Sequence, residues 1–214
     1  MSFSTKREAI IKINIKEVIS ILVLLGKTCA GKDSCVKELV DHMGYKMIVS
    51  YTTRPMRDGE VDGITYKFID KEKFLTLKKK NFFAETTSYN VATGETWYYG
   101  MSMEDISKAD EKTVVILNPE GLRKVRKIKG LNIVAIYIDA KKSVIKKRLR
   151  KRGDNRKEAK RRINADDIDF QNIENEIDYV IPNNQHNNIE TQASLIDFIY
   201  TDEITWRKQY ETYD

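Results

Sequence analysis

Two residue types that build many sites are scarce in this 214-residue chain, which has two cysteines and two histidines. His42 and His186 stand far apart and no Cys/His spacing of a metal cluster exists, which excludes a zinc-binding module. The cysteines, Cys29 and Cys35, flank a glycine-rich turn and the start of a helix, a setting that favours free thiols over a disulfide. Long apolar runs are missing too. The longest, Ile19 to Gly26, is far short of the roughly 20 residues that span a bilayer. It follows a segment containing Glu17 and runs into Lys27, without the short basic leader and small-residue cleavage site of a secretory signal. These absences point to a cytoplasmic protein with no membrane partner. No internal repeat and no low-complexity tract interrupts it.

With 41% hydrophobic and 33% charged residues, the chain can bury one sizeable core and carry an inserted lobe. Its net charge of +6 is focused: residues 141–162 hold 13 Lys or Arg against two acids, so the rest of the chain is net acidic. Such a run suits a polyanion or the triphosphate of a single nucleotide. It lacks base-stacking residues, which disfavours nucleic acid as the partner.

Ile21 to Leu25 reads as a buried parallel strand, and Val36, Leu39, Val40 and Met43 fall on one face of the helix that follows. Between them Gly26, Gly31 and Lys32 have the spacing G-x-x-x-x-G-K. Backbone N–H groups from Thr28, Cys29, Ala30, Gly31 and Lys32 would converge on phosphates at the positive end of that helix, with the Lys32 ammonium on the outer ones. The competing reading is a glycine turn that binds nothing. Asp33 stands where such loops place a metal-holding hydroxyl. It is either a helix-start acid or, with Ser34, a holder of magnesium through water. Beyond it, "KMIVSY" reads as a second strand. Residues 52–105 look like an inserted lobe, after which strands "TVVIL", "NIVAIYI" and "DYVI" alternate with helices, the last beginning near Ile189. The alternation predicts a mostly parallel sheet with helices on both faces.

The segment "SYTTRPMRDGEVDGITYKF" offers Ser50, Arg54, Arg57, Glu60 and Tyr66 for a second phosphate, with guanidinium forks and a phenol taking its oxygens. It is similar nearly throughout to the substrate lobe of guanylate kinases, S-x-T-T-R-x-P-R-x-G-E-x-x-G-x-x-Y-x-F. Further resemblances follow in chain order. "NFFAE" makes Glu85 the counterpart of the guanine-reading glutamate, whose carboxylate can accept from both N1–H and the exocyclic amine. "WYYG" makes Tyr99 a partner of the substrate phosphate, a core tyrosine being the alternative. "RLRKRG" and "RRINAD" resemble the lid, implying that Arg152 and Arg162 close on the transferring phosphoryl group, with Arg148 a weaker member. "DYVIPNN" implies Asn183 beside the donor base.

The resemblance covers about residues 20–200 and implies an α/β fold: a P-loop three-layer core with a mostly parallel sheet (20–51 and 106–200), an inserted mixed α/β acceptor lobe (52–105) and a short helical lid (150–162). Residues 1–19 are then an extension and 201–214 a helix end. The implied reaction is transfer of the γ-phosphoryl group of Mg·ATP to GMP or dGMP by a monomer or homodimer, with Lys32, Arg54, Arg152 and Arg162 catalytic. Three departures stand against the family pattern: a longer stretch between Glu85 and Gly100, Met101 where a small hydroxyl residue reads guanine, and Ile116-Leu117-Asn118 in place of Asp-x-Asp. They leave open a kinase for another nucleoside monophosphate. A catalytically silent interaction module is the remaining rival.

Overall fold

The apolar run after Val18 forms β1 (Ile19–Leu25), and its unbroken hydrophobicity comes from burial on both faces. Leu22 and Leu24 pack to one side with Val114, Val134, Ile136 and Ile138; Ile21, Val23 and Leu25 pack to the other with Val115, Ile133, Ala135 and Tyr137. That is the pattern of a parallel strand covered by helices above and below. In chain order the elements after β1 are α1 (Lys32–Met43), β2 (Lys46–Met47), β3 (Tyr51–Thr52), β4 (Lys67–Phe68), α2 (Lys71–Lys79), β5 (Phe83–Asn90), β6 (Thr96–Ser102), α3 (Met103–Ser107), β7 (Thr113–Ile116), α4 (Pro119–Val125), β8 (Leu131–Asp139), α5 (Lys142–Lys151), α6 (Arg156–Asp169), β9 (Tyr179–Pro182) and α7 (Ile189–Tyr210). This computed structural model describes residues 18–91, 93–184 and 188–210. Most of the expected N-terminal extension, His186 and the last four residues lie outside the described residues.

Five strands in the order β2-β7-β1-β8-β9 form one sheet, parallel throughout. One face is covered by α1 and α7, where Cys35, Val36 and Leu39 meet Ala193, Ile196 and Tyr200. Val40, expected inside, is exposed, because the buried face of α1 is centred on Cys35, Val36 and Leu39. The other face carries Ile106 of α3, and Leu122 and Val125 of α4. The strand expected over "KMIVSY" is divided. β2 pairs with β7, and Ile48 still donates to the Val114 carbonyl, whereas β3 joins a second sheet. The chain therefore passes between sheets at residues 48–50.

That second sheet has the order β4-β3-β6-β5 and draws only on residues 51–102. Its long member is the antiparallel β5–β6 hairpin. α2 seals its outer side: the Phe74 ring stacks on Phe83 at 4.5 Å and leans on Tyr98 at 5.5 Å. α7 continues unbroken past residue 200 with Ile204 buried, so the boundary expected at residue 200 falls inside one helix.

Candidate active site

The C-terminal end of β1, the start of α1, the second sheet and α6 enclose a cleft of about 250 Å³. On its loop side, β1 delivers the chain through Gly26, where a Cβ would lie 2.7 Å from the Ile138 carbonyl oxygen. Gly31 caps α1 at φ 109°, and a Cβ there would meet the Asn183 amide at 2.2 Å. Only glycine fits either place. Cys29 takes the left-handed region too, at φ 54°. The curve is braced from behind: Arg148 donates to the carbonyls of Cys29 (3.0 Å) and Ala30 (2.9 Å), and the Asn183 amide donates to Ala30 (2.7 Å).

The Lys32 ammonium donates to the carbonyls of Gly26 (2.6 Å) and Lys27 (3.0 Å). Burial, which penalises its charge, lowers its pKa. Thr28 N–H donates to an Asp166 carboxylate oxygen of α6 at 2.6 Å. Beyond the loop, Arg152 is paired with Asp154 at 2.6 Å and Arg162 with Glu158 at 2.8 Å. Glu158 accepts first from Arg161 and then from Arg162, which pull its carboxyl down to about 2.

The sheet side differs. The Arg57 guanidinium has no hydrogen bond or ion pair among the described residues, and burial followed by the cations of Arg162, Arg54 and Arg152 lowers its pKa. Tyr66 and Tyr99 line the cleft with rings 5.9 Å apart, and neither hydroxyl has a partner among the described residues. Glu85, 6% exposed, leaves one carboxylate oxygen without a partner. Burial raises its pKa to about 7, against the pull of Lys124 and the Met101 backbone N–H.

Gly26, Thr28, Cys29, Lys32, Asp33, Ser50, Arg57, Tyr66, Glu85, Tyr99, Asn118, Arg152 and Arg162 of the residues expected from sequence thus meet in one cleft. Ala30, Gly31 and Ser34 belong to the loop and helix start but do not line it. Asn183, expected beside a base, is 1% exposed and braces the loop from behind. Arg54, expected on the acceptor phosphate and among the catalytic residues, is buried under Tyr66 and Phe68 and paired in two bonds with Glu60, at 2.7 and 2.9 Å. Glu60 also accepts the Arg57 N–H at 2.8 Å, so this pair shapes the arginine turn from beneath. Met101 is fully buried in the core, and its backbone N–H faces Glu85, its strand partner. Ser102 beside it caps α3 by accepting from the Asp105 N–H. Asn118 caps α4, accepting from Gly121 at 2.7 Å, while its amide donates to the Tyr89 hydroxyl.

Thr87, Tyr89, Trp97, Arg161 and Asp166 line the cleft without having been singled out in the sequence. Thr87 and Tyr89 follow Glu85 at strand period two, a signal that places all three on one face. Asp166 had no such signal, since its partner is 138 residues away.

The guanylate kinase family model matches residues 19–199. The chain belongs to the guanylate kinase family. It is an ATP-dependent nucleoside monophosphate kinase whose acceptor is GMP. Among similar proteins, the guanylate kinase of Mycoplasma genitalium is 31% identical over 189 residues, covering 85% of this chain and 76% of its own. That of Sulfurimonas denitrificans is 32% identical over 186 residues, covering 84% and 86%. The crystal structure of guanylate kinase from Anaplasma phagocytophilum superposes with a TM-score of 0.65 at 26% identity, covering 87% of each chain. Among the described residues no helix is long and apolar enough to cross a membrane.

Proposed function

We propose that the loop side of the cleft holds the donor phosphates and the sheet side holds GMP or dGMP, with residues 52–105 as acceptor lobe and 150–162 as lid. The observation that carries this reading is the unpartnered oxygen of Glu85, buried in the same cleft as Lys32. A desolvated carboxylate with a vacant lone pair seeks N–H donors, and guanine presents two of them side by side. Arg57, Tyr66 and Tyr99 supply a cation and two hydroxyls for the acceptor phosphate. Ser50 and Asn118 complete that wall, Asn118 through an amide oriented by Tyr89. Arg54 and Glu60 are positioning residues that fix the arginine turn.

On the donor side Lys32 exchanges two carbonyl partners for phosphate oxygens. An anion beside it offsets the desolvation that lowers its pKa. Arg152 and Arg162 turn from Asp154 and Glu158 toward the transferring group, where they neutralise the charge spread over its equatorial oxygens. Between two phosphates the protein has little covalent work, so positioning and charge neutralisation account for the rate. Among the described residues no three Asp, Glu, His or Cys side chains converge as a metal cage. The carboxylate of Asp33, unpaired among the described residues and with Ser34 next to it, instead suits magnesium held mainly by the donor phosphates and by water. When bound there, magnesium supplies further neutralisation of the phosphates. The reaction belongs in the cytosol, and two free thiols near the loop accord with that.

An ADP-release assay with Mg·ATP and each common ribo- and deoxyribonucleoside monophosphate tests the proposal. GMP and dGMP should give the highest kcat/KM. No ADP above background with any acceptor would favour the interaction-module reading, and a preference for another base would remove Glu85 from its role.

A further inference from the structure

Asp166 stands where an anion is wanted. Its carboxylate accepts the Thr28 N–H at 2.6 Å, at the mouth of a loop whose backbone is shaped for phosphate oxygens. It lines the same cleft as Lys32, Arg152 and Arg162, and its field acts on the Lys32 ammonium. The contact does not depend on one side chain alone. The next residue, Asp167, pairs with Lys27 of the loop and Lys142 of α5, both at 2.7 Å, so two adjacent carboxylates hold α6 onto the loop. From the middle of α6, Arg161 donates to the Asn90 carbonyl of the β5–β6 hairpin at 3.3 Å. The helix is thereby anchored on both sides of the cleft while the lid arginines are paired with Asp154 and Glu158.

We infer that Asp166 is a built-in stand-in for an outer phosphate of the donor, and that ATP must displace it from Thr28 to bind. The inference rests on the assignment of the loop side to ATP. A carboxylate and a phosphate cannot share one N–H donor at close range without like-charge repulsion, so the residue lowers donor affinity and sets how strongly the outer phosphate counts. It also gives α6 a reason to move when donor enters, since Asp166 leaves the loop either by changing rotamer or by carrying the helix with it. Asp166 is therefore a determinant of donor affinity in the phosphoryl-transfer reaction rather than a residue that touches the reacting atoms.

Asp166→Asn keeps an oxygen that can accept the Thr28 N–H and removes only the charge. Calorimetric titrations of wild type, D166N and D167N with ATP and with ADP, in the absence of magnesium, read the effect directly. D166N should bind ATP about three- to tenfold more tightly, the range for one partly screened charge, and ADP should gain less. D167N should keep the wild-type ratio of ATP to ADP affinity, because its carboxylate does not sit on the loop N–H. Asp166→Ala, which also loses the hydrogen bond, should shift ATP in the same direction. Unchanged or weaker ATP binding in D166N, or an equal gain for ATP and ADP, overturns the inference. Wild-type protein that binds no ATP overturns the donor-side assignment and the inference together; wild type that binds ATP beside an unaltered D166N overturns the inference alone.

Discussion

The two halves of the cleft stand in opposite conditions. On the half proposed for the donor the cations and the loop N–H have internal partners: Lys32 has two carbonyls, Thr28 N–H has Asp166, and Arg152 and Arg162 have Asp154 and Glu158. On the half proposed for the acceptor the Arg57 guanidinium, the Tyr66 and Tyr99 hydroxyls and one oxygen of Glu85 have none among the described residues. A self-satisfied half binds by exchanging partners, so its net gain is small and it can open and close readily. A half that holds unpaired, desolvated groups in place has met that cost during folding, and its ligand gains the full value of each new bond. The acceptor half is therefore the pre-organised one.

The largest expected effect tests what holds the acceptor half together. Glu60→Ala leaves Arg54 buried and unpaired, and should cost about 3–5 kcal/mol of stability while raising KM for GMP. Chemical denaturation beside steady-state kinetics checks both; a variant as stable as wild type would mean that the arginine turn is not pre-built. Glu85→Gln should weaken GMP by roughly 1–3 kcal/mol, because it turns a donor toward guanine's donors. The same change should stabilise the ligand-free protein. An unfolded glutamate loses its proton near pH 4.5, whereas buried Glu85 keeps its own up to about 7. The fold therefore loses stability as pH rises through that window, and the glutamine variant should not. Denaturation curves at pH 5 and pH 8 read the difference directly. Coincident pH dependence in the two proteins would place Glu85 in a wetter site than the cleft provides.

On the donor half, Lys32→Ala should lower kcat/KM at least about tenfold, or about 1.4 kcal/mol, with a smaller change in KM for GMP. Equal losses in donor and acceptor parameters would blur the division between the halves. Smallest is Asp33→Asn, which should raise the magnesium concentration for half-maximal activity several-fold, on the order of 0.5–1 kcal/mol, with GMP binding nearly unchanged. A superimposable magnesium titration would leave Asp33 as a helix-start acid, consistent with its position in the first turn of α1.

What could be read from the chain beforehand follows the same division. The parallel core was legible because β1, β7 and β8 are buried on both faces and read as continuous apolar runs. The loop was legible because all its parts lie within seven residues. Tyr66 was found by its place beyond the two arginines, and Glu85 and Tyr99 by resemblance, not by periodicity, although the alternation Glu85-Thr87-Tyr89 would have led to the rest of that wall. The pairs that neutralise the donor half were not legible. Asp166 meets Thr28 across 138 residues, and no local pattern distinguishes it from Asp167 beside it. Arg54 and Asn183 show the complementary limit, since residue type does not tell whether a side chain faces a ligand or braces the backbone that does.

The brace behind the loop has a consequence for folding. Arg148 and Asn183 reach the carbonyls of Cys29 and Ala30 from 118 to 153 positions further along the chain, so the loop takes its phosphate-binding curve only after α5 and β9 have docked on the sheet. Contacts closed over such long stretches carry the largest loop entropy and tend to form late. Nucleotide affinity is thus acquired near the end of folding rather than with the glycine motif that announces it. A chain ending before β9 would retain every residue of that motif and bind donor poorly, and ATP, by binding only the finished loop, would favour the complete fold over its partly assembled precursors.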